Sequence, residues 1–139
     1  MLHYLWIQYA MTAGPWAALV QAGSFDAMLN DPDSISRAMM AACECLHVVK
    51  RRGVDLSQYP ETKPFRTNSA LRRRINFWLM RRMFRHDEYT KQCSAHAFDD
   101  PVEVKTFYDD LIATGRELGV SMPVMESFSA AITRFATKA

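Results

Sequence analysis

Residues 101–135 read PVEVKTFYDDLIATGRELGVSMPVMESFSAAITRF, and this stretch decides the fold. Asp99 and Asp100 ahead of it offer a side-chain oxygen to the unpaired N–H groups of a helix start, and Pro101 suits the first helical position, where its missing donor costs nothing. Val104, Phe107, Tyr108, Leu111, Ile112 and Leu118 recur at the three-and-four spacing of one buried stripe, while Glu103, Lys105, Asp109, Asp110 and Glu117 turn outward. Gly115 falls on that stripe. A glycine there costs roughly 1 kcal/mol of helix propensity relative to Ala, which is tolerable where the missing side chain lets a neighbouring helix come close. Gly119 supplies a left-handed residue to stop the helix, and Pro123 opens a second one with Val124, Met125, Phe128, Ala131, Ile132 and Phe135 on its buried side. The stretch therefore predicts an antiparallel helical hairpin.

Working outward, Gly23, Gly53 and several Ser/Asp caps cut the remaining chain into helices. The first begins almost at Met1, with Gly14-Pro15 expected to kink or re-cap it and Gly23 to end it. Ser24 caps a short helix to Leu29. Asp31-Pro32 starts a long one to about Arg52, with Ile35, Met39, Ala42, Cys43, Leu46 and Val49 as its stripe and Lys50, Arg51 and Arg52 at its carbonyl end. Residues 54–66, holding Pro60 and Pro64, read as an ordered loop. Thr67, Asn68 or Ser69 caps a helix over residues 70–85, and a shorter helical segment covers 87–97. The pattern lacks strand alternation and predicts an all-α bundle of about five to seven helices, residues 1–139 forming one domain.

Two runs carry a resemblance. Gly115-Arg116-Glu117-Leu118-Gly119-Val120-Ser121-Met122-Pro123-Val124-Met125-Glu126 resembles the closing hinge of the ketopantoate reductase (2-dehydropantoate 2-reductase) family, and Leu5-Trp6-Ile7-Gln8-Tyr9-Ala10 resembles the start of that family's helical C-terminal domain. The likeness spans nearly the whole chain. It implies the helical half of an NADPH-dependent oxidoreductase acting on a small 2-oxo acid, with substrate contacts and a homodimer surface on this half and NADPH on a Rossmann domain absent from this chain. The abrupt first helix fits the back half of a longer polypeptide.

In that family a lysine at the beginning of this domain protonates the substrate carbonyl, four residues before an asparagine. The matching register here places Tyr4 at the lysine, preceded by His3, and Gln8 at the asparagine. A tyrosine or histidine can donate a proton, but Tyr lacks the positive charge that steadies a developing alkoxide. Counting back from Pro123, Glu103 falls on the family's substrate-binding glutamate, and Lys91 on its nearby serine. An acid in a helix's first turn equally serves the helix dipole.

Composition bounds the alternatives. Half the residues are hydrophobic (49%), formal net charge is +2, and no apolar run reaches the length of roughly 20 residues that a membrane span needs. Three cysteines, an odd number, suit reduced thiols in a cytoplasm. The five glycines are dispersed at 14, 23, 53, 115 and 119, so no glycine-rich phosphate loop exists and no cofactor is expected on this chain alone. Cys43-Glu44-Cys45-Leu46-His47 places Cys43 and His47 on one helical face, and Cys93 and His96 form a three-spaced pair, but neither has the partners a zinc site needs, so no metal is expected.

Residues 63–86 carry eight Lys/Arg and no acid, leaving nine basic residues against all fifteen acidic ones elsewhere. Arg74, Arg81 and Arg85 share a stripe, while Leu71, Ile75, Phe77, Trp78, Leu79, Met80, Met83 and Phe84 fill most of the remaining circumference. A helix so widely apolar must be covered on more than one side, which points to an interface with a second copy or another domain. No nucleic-acid-reading motif accompanies the charge. A phosphate-binding adaptor and a non-catalytic association or small-acid-binding module are the competing readings.

Overall fold

The structure, a computed structural model, describes residues 1–66 and 69–138. Those residues are mostly helical, with no strand among them. Eight α-helices follow in order: α1 (Leu2–Ala22), α2 (Phe25–Asn30), α3 (Pro32–Arg51), α4 (Ala70–Phe84), α5 (Glu88–Asp99), α6 (Pro101–Glu117), α7 (Pro123–Glu126) and α8 (Ser129–Ala136). Two 3-10 turns, Leu56–Gln58 and Pro60–Phe65, organise the loop before α4.

Local chemistry sets the boundaries. The Ser24 hydroxyl accepts from the Ala27 N–H, Asp31 from Asp33, Asp87 from Tyr89 and Asp100 from Glu103, each closing a free donor at a helix start. Of the three residues considered for capping α4, Ser69 accepts the Arg72 N–H; Thr67 and Asn68 lie outside the described residues. Gly23 ends α1 at φ 89°, and Gly119 adopts φ 66° just past α6.

The long helices α1 and α3 pack side by side and the others cover them. Here two expectations are corrected. Of the kink or re-cap expected at Gly14-Pro15, the re-cap is overturned, since α1 runs continuously from Leu2 to Ala22 with Pro15 inside it. Gly14 is instead the point where α3 crosses: a Cβ there would lie 2.7 Å from Ala42 N and 2.8 Å from Ala41 C, both backbone atoms. The helix count is also eight rather than five to seven, because the last predicted helix divides at Ser127-Phe128 into α7 and α8.

The closing hairpin packs as its stripe predicts. Val104, Tyr108, Leu111 and Ile112 of α6 and Met125, Phe128, Ala131 and Ile132 beyond the hinge are buried, each large apolar side chain contributing about 1.5–3 kcal/mol by leaving water. Gly115 leaves room for the hinge's own Met122, with Val48 of α3 at 3.4 Å from where its Cβ would stand. Tyr108 donates its phenol hydrogen to the Met125 carbonyl at 2.8 Å. From α3, Arg37 donates to the Ser127 hydroxyl at 2.7 Å and lies 4.7 Å from the Phe128 ring.

α3 is buried on more sides than its stripe implied. Cys45 is fully covered beside Gly14, whereas Cys43 is only half-buried. α4 shows the opposite: none of its residues is buried. Phe77, Met80 and Phe84 lean on the core, but Leu71, Trp78 and Met83 stay 69%, 59% and 65% exposed, with Ile75 and Leu79 beside them.

Candidate functional site

One face of α1 lines a cleft of about 550 Å³. Gln8, Met11, Thr12, Pro15, Trp16 and Leu19 fall at helical spacing, so a single stripe of side chains forms one wall. Phe25 and Met28 of α2, with Ile35, Ala38 and Met39 of α3, close the floor. Met80 and Phe84 of α4 face them across the cleft, and Tyr89, Thr90, Cys93 and Ser94 of α5 complete the rim.

The hydrogen bonds decide which polar atoms remain available. Thr12 donates its hydroxyl hydrogen to the Gln8 carbonyl and Ser94 donates to the Thr90 carbonyl, both at 2.8 Å. Thr90 donates to the Asp87 carboxylate. These hydroxyls are left with acceptor lone pairs only. The Gln8 side-chain amide has no hydrogen bond among the described residues, so its donors and its acceptor both stay open. Tyr89 on the rim has its phenol pushed up, first by hydrogen bonding to the Cys93 thiol and then by the nearby charges of Cys93 and Tyr4.

Trp16 separates this cleft from a second group. Its ring stacks on Phe107 at 5.7 Å and meets His96 edge-on at 6.0 Å, and Phe107 in turn touches Tyr9 at 4.4 Å. His96 Nε2 lies 3.0 Å from Glu103 Oε2. Tyr9 is raised to about 12 by burial, then by the charge and hydrogen bond of Asp110. Asp110 and Glu103 thus sit one on each flank of an aromatic cluster.

The residues singled out in the sequence are only partly brought together. Gln8 lines the cleft, and Tyr4, one turn earlier on α1, is exposed and not part of the lining. His3 instead stacks on Trp6 at 5.7 Å, with the Arg52 guanidinium 4.7 Å from that indole. Glu103 is held by His96 beyond Trp16, and Lys91 points along α5 to an ion pair with Glu88 at 2.7 Å. Of the basic stripe, Arg74 and Arg85 are exposed, whereas Arg81 turns inward to Asn30 at 3.4 Å. Arg82 lies 5.9 Å from the Trp78 ring.

Some functional geometry gave no sequence signal. Glu44, read only as part of a cysteine cluster, accepts the backbone N–H groups of Val124 and Met125 at 2.9 and 2.8 Å and so docks the hairpin onto α3. Cys43 and His47 approach at 3.9 Å, burial pushes the Cys43 thiol up, and the described residues hold no group of three or more His, Cys, Asp or Glu that could hold a metal ion. The positive-φ glycines 23, 53 and 119 are isolated residues following helices, and none of them lies on a strand–turn–helix unit. Among the described residues, no helix is long and apolar enough to cross a membrane. No family model, curated protein or solved structure matches this chain.

Proposed function

We propose that this chain is the helical half of a ketopantoate-reductase-like oxidoreductase. In this reading it supplies one wall of the substrate site and an association surface, while a separate Rossmann domain carries NADPH and the pair works in the cytoplasm. The supporting observation is the placement of Gln8: the residue at the family's asparagine position lines the cleft, one helical turn from Tyr4. The uncovered apolar residues of α4, and of Leu2 and Leu5 at the start of α1, fit a helical half that meets another body. A homodimer through α4 is the form we favour.

NADPH titration of this chain, followed by cofactor fluorescence, tests the division of labour. The expected result is no binding; micromolar affinity overturns it. A second reading, a non-catalytic association module, is favoured by the replacement of the family lysine with Tyr4. An upstream strand followed by a three-glycine turn in the same reading frame would decide for the reductase half.

A further inference from the structure

We infer that the cleft between α1, α4 and α5 takes a neutral, largely apolar small molecule bearing a single carbonyl or hydroxyl group. Calling that molecule a substrate rests on the reductase reading above; its chemical class does not.

The lining carries the argument. None of the described residues around the cleft is Asp, Glu, Lys, Arg or His. A carboxylate or phosphate entering such a space would lose its hydration with no cation to replace it, a penalty that excludes charged ligands from apolar sites. The small 2-oxo acid implied by the resemblance is therefore a poor occupant. The volume, about 550 Å³, lies in the range of roughly 300–1,000 Å³ typical of small-molecule sites.

Shape and polarity narrow the class further. Met11, Met28, Met39 and Met80 face the space from four different helices, and their unbranched, polarisable side chains adapt to an apolar body of irregular outline. Trp16 and Phe84 add flat surfaces suited to a ring. Polarity on the α1 and α5 walls consists of the Gln8 amide, the Thr12, Thr90 and Ser94 hydroxyls that can only accept, and the Tyr89 phenol engaged with the Cys93 thiol. Such a set satisfies one carbonyl, through the amide N–H, or one hydroxyl, through the amide oxygen or a hydroxyl lone pair.

A matched pair of fluorescent probes tests this on the chain itself. N-phenyl-1-naphthylamine and 8-anilino-1-naphthalenesulfonate share one ring system and differ by a sulfonate. The neutral probe is expected to bind roughly tenfold or more tighter, a difference of about 1.4 kcal/mol or greater. Because the chain's net charge is +2, general electrostatics favours the sulfonate, so a neutral preference reports the cleft. Met80→Glu, which puts a charge into the wall, is expected to weaken the neutral probe by a similar factor, with Val102→Glu, exposed on α6 and outside the lining, as the control that leaves it unchanged. Equal affinities, tighter sulfonate binding, no binding of the neutral probe, or an indifferent Met80→Glu each overturn the inference. If Met80→Glu does not fold, the probe pair on the native chain decides alone. NADPH binding would sink the division of labour without touching this result.

Discussion

The carboxylate of Glu44 in α3 stands 2.8 Å from the backbone nitrogen of Met125, with its other oxygen 2.9 Å from that of Val124. One side chain thereby satisfies two free donors at the start of α7, a cap supplied from 80 residues away.

Glu44→Ala strands both N–H groups and is expected to cost about 1–3 kcal/mol in urea unfolding. Glu44→Gln keeps one acceptor and should cost less. Burial pushes the Glu44 carboxyl up, opposed by the two N–H bonds. A folded state that holds the proton more tightly than the unfolded chain gains most below the ordinary glutamate value, and loses that gain as pH rises through the folded one. The stability of Glu44→Gln relative to the native chain should therefore improve from acid to neutral pH. A relative loss over that range would show the bonds outweighing burial.

At Gly14 the α3 backbone leaves no room for a methyl group, and Gly14→Ala forces α1 and α3 apart. The expected loss is about 1–3 kcal/mol or more, from overpacking. Gly23→Ala meets open space and only the left-handed backbone penalty of roughly 1–2 kcal/mol. Thermal melts of the two variants should differ in that order, and Gly14→Ala should also alter near-ultraviolet dichroism from the aromatics of α1.

Trp78 is exposed on α4 and packs no core. Trp78→Glu should leave monomer stability within about 0.5 kcal/mol. If a second copy covers this face, sedimentation velocity will show a dimer for the native chain and a monomer for the variant.

Tyr9, raised to about 12, should ionise later than an ordinary tyrosine in ultraviolet titration, and Tyr9→Phe should remove that late phase. Since the folded value is the higher one, its contribution is complete below about pH 10 and is lost as pH climbs through about 12. Asp110→Asn should move the phase to lower pH while leaving the part due to burial.

Much of the fold was legible because its signals are local. Ser24, Asp31 and Asp100 cap helices within three residues of themselves, and Gly23 and Gly119 mark ends by backbone conformation. The close helix crossing at Gly14 was not legible, because it comes from Ala41 and Ala42 on another helix, which no local pattern encodes. Cys45, outside the stripe of Ile35, Met39, Ala42, Cys43, Leu46 and Val49, is fully buried because α3 is packed from several directions. At the site, Gln8 was placed by register, yet the walls facing it come from four other helices. Glu103 was named for substrate contact, and nothing near it in sequence announced that Trp16 would stand between it and Gln8.

That indole has a practical consequence. With one edge of its neighbourhood on the cleft and the other on the Glu103–His96 pair, Trp16 is a built-in optical gauge for both. With Trp6 and Trp78 replaced by Phe, its emission colour will register an arriving guest and, separately, the loss of the Glu103–His96 pair in Glu103→Gln. Recording one while varying the other would measure whether the two neighbourhoods communicate, without attaching any foreign label.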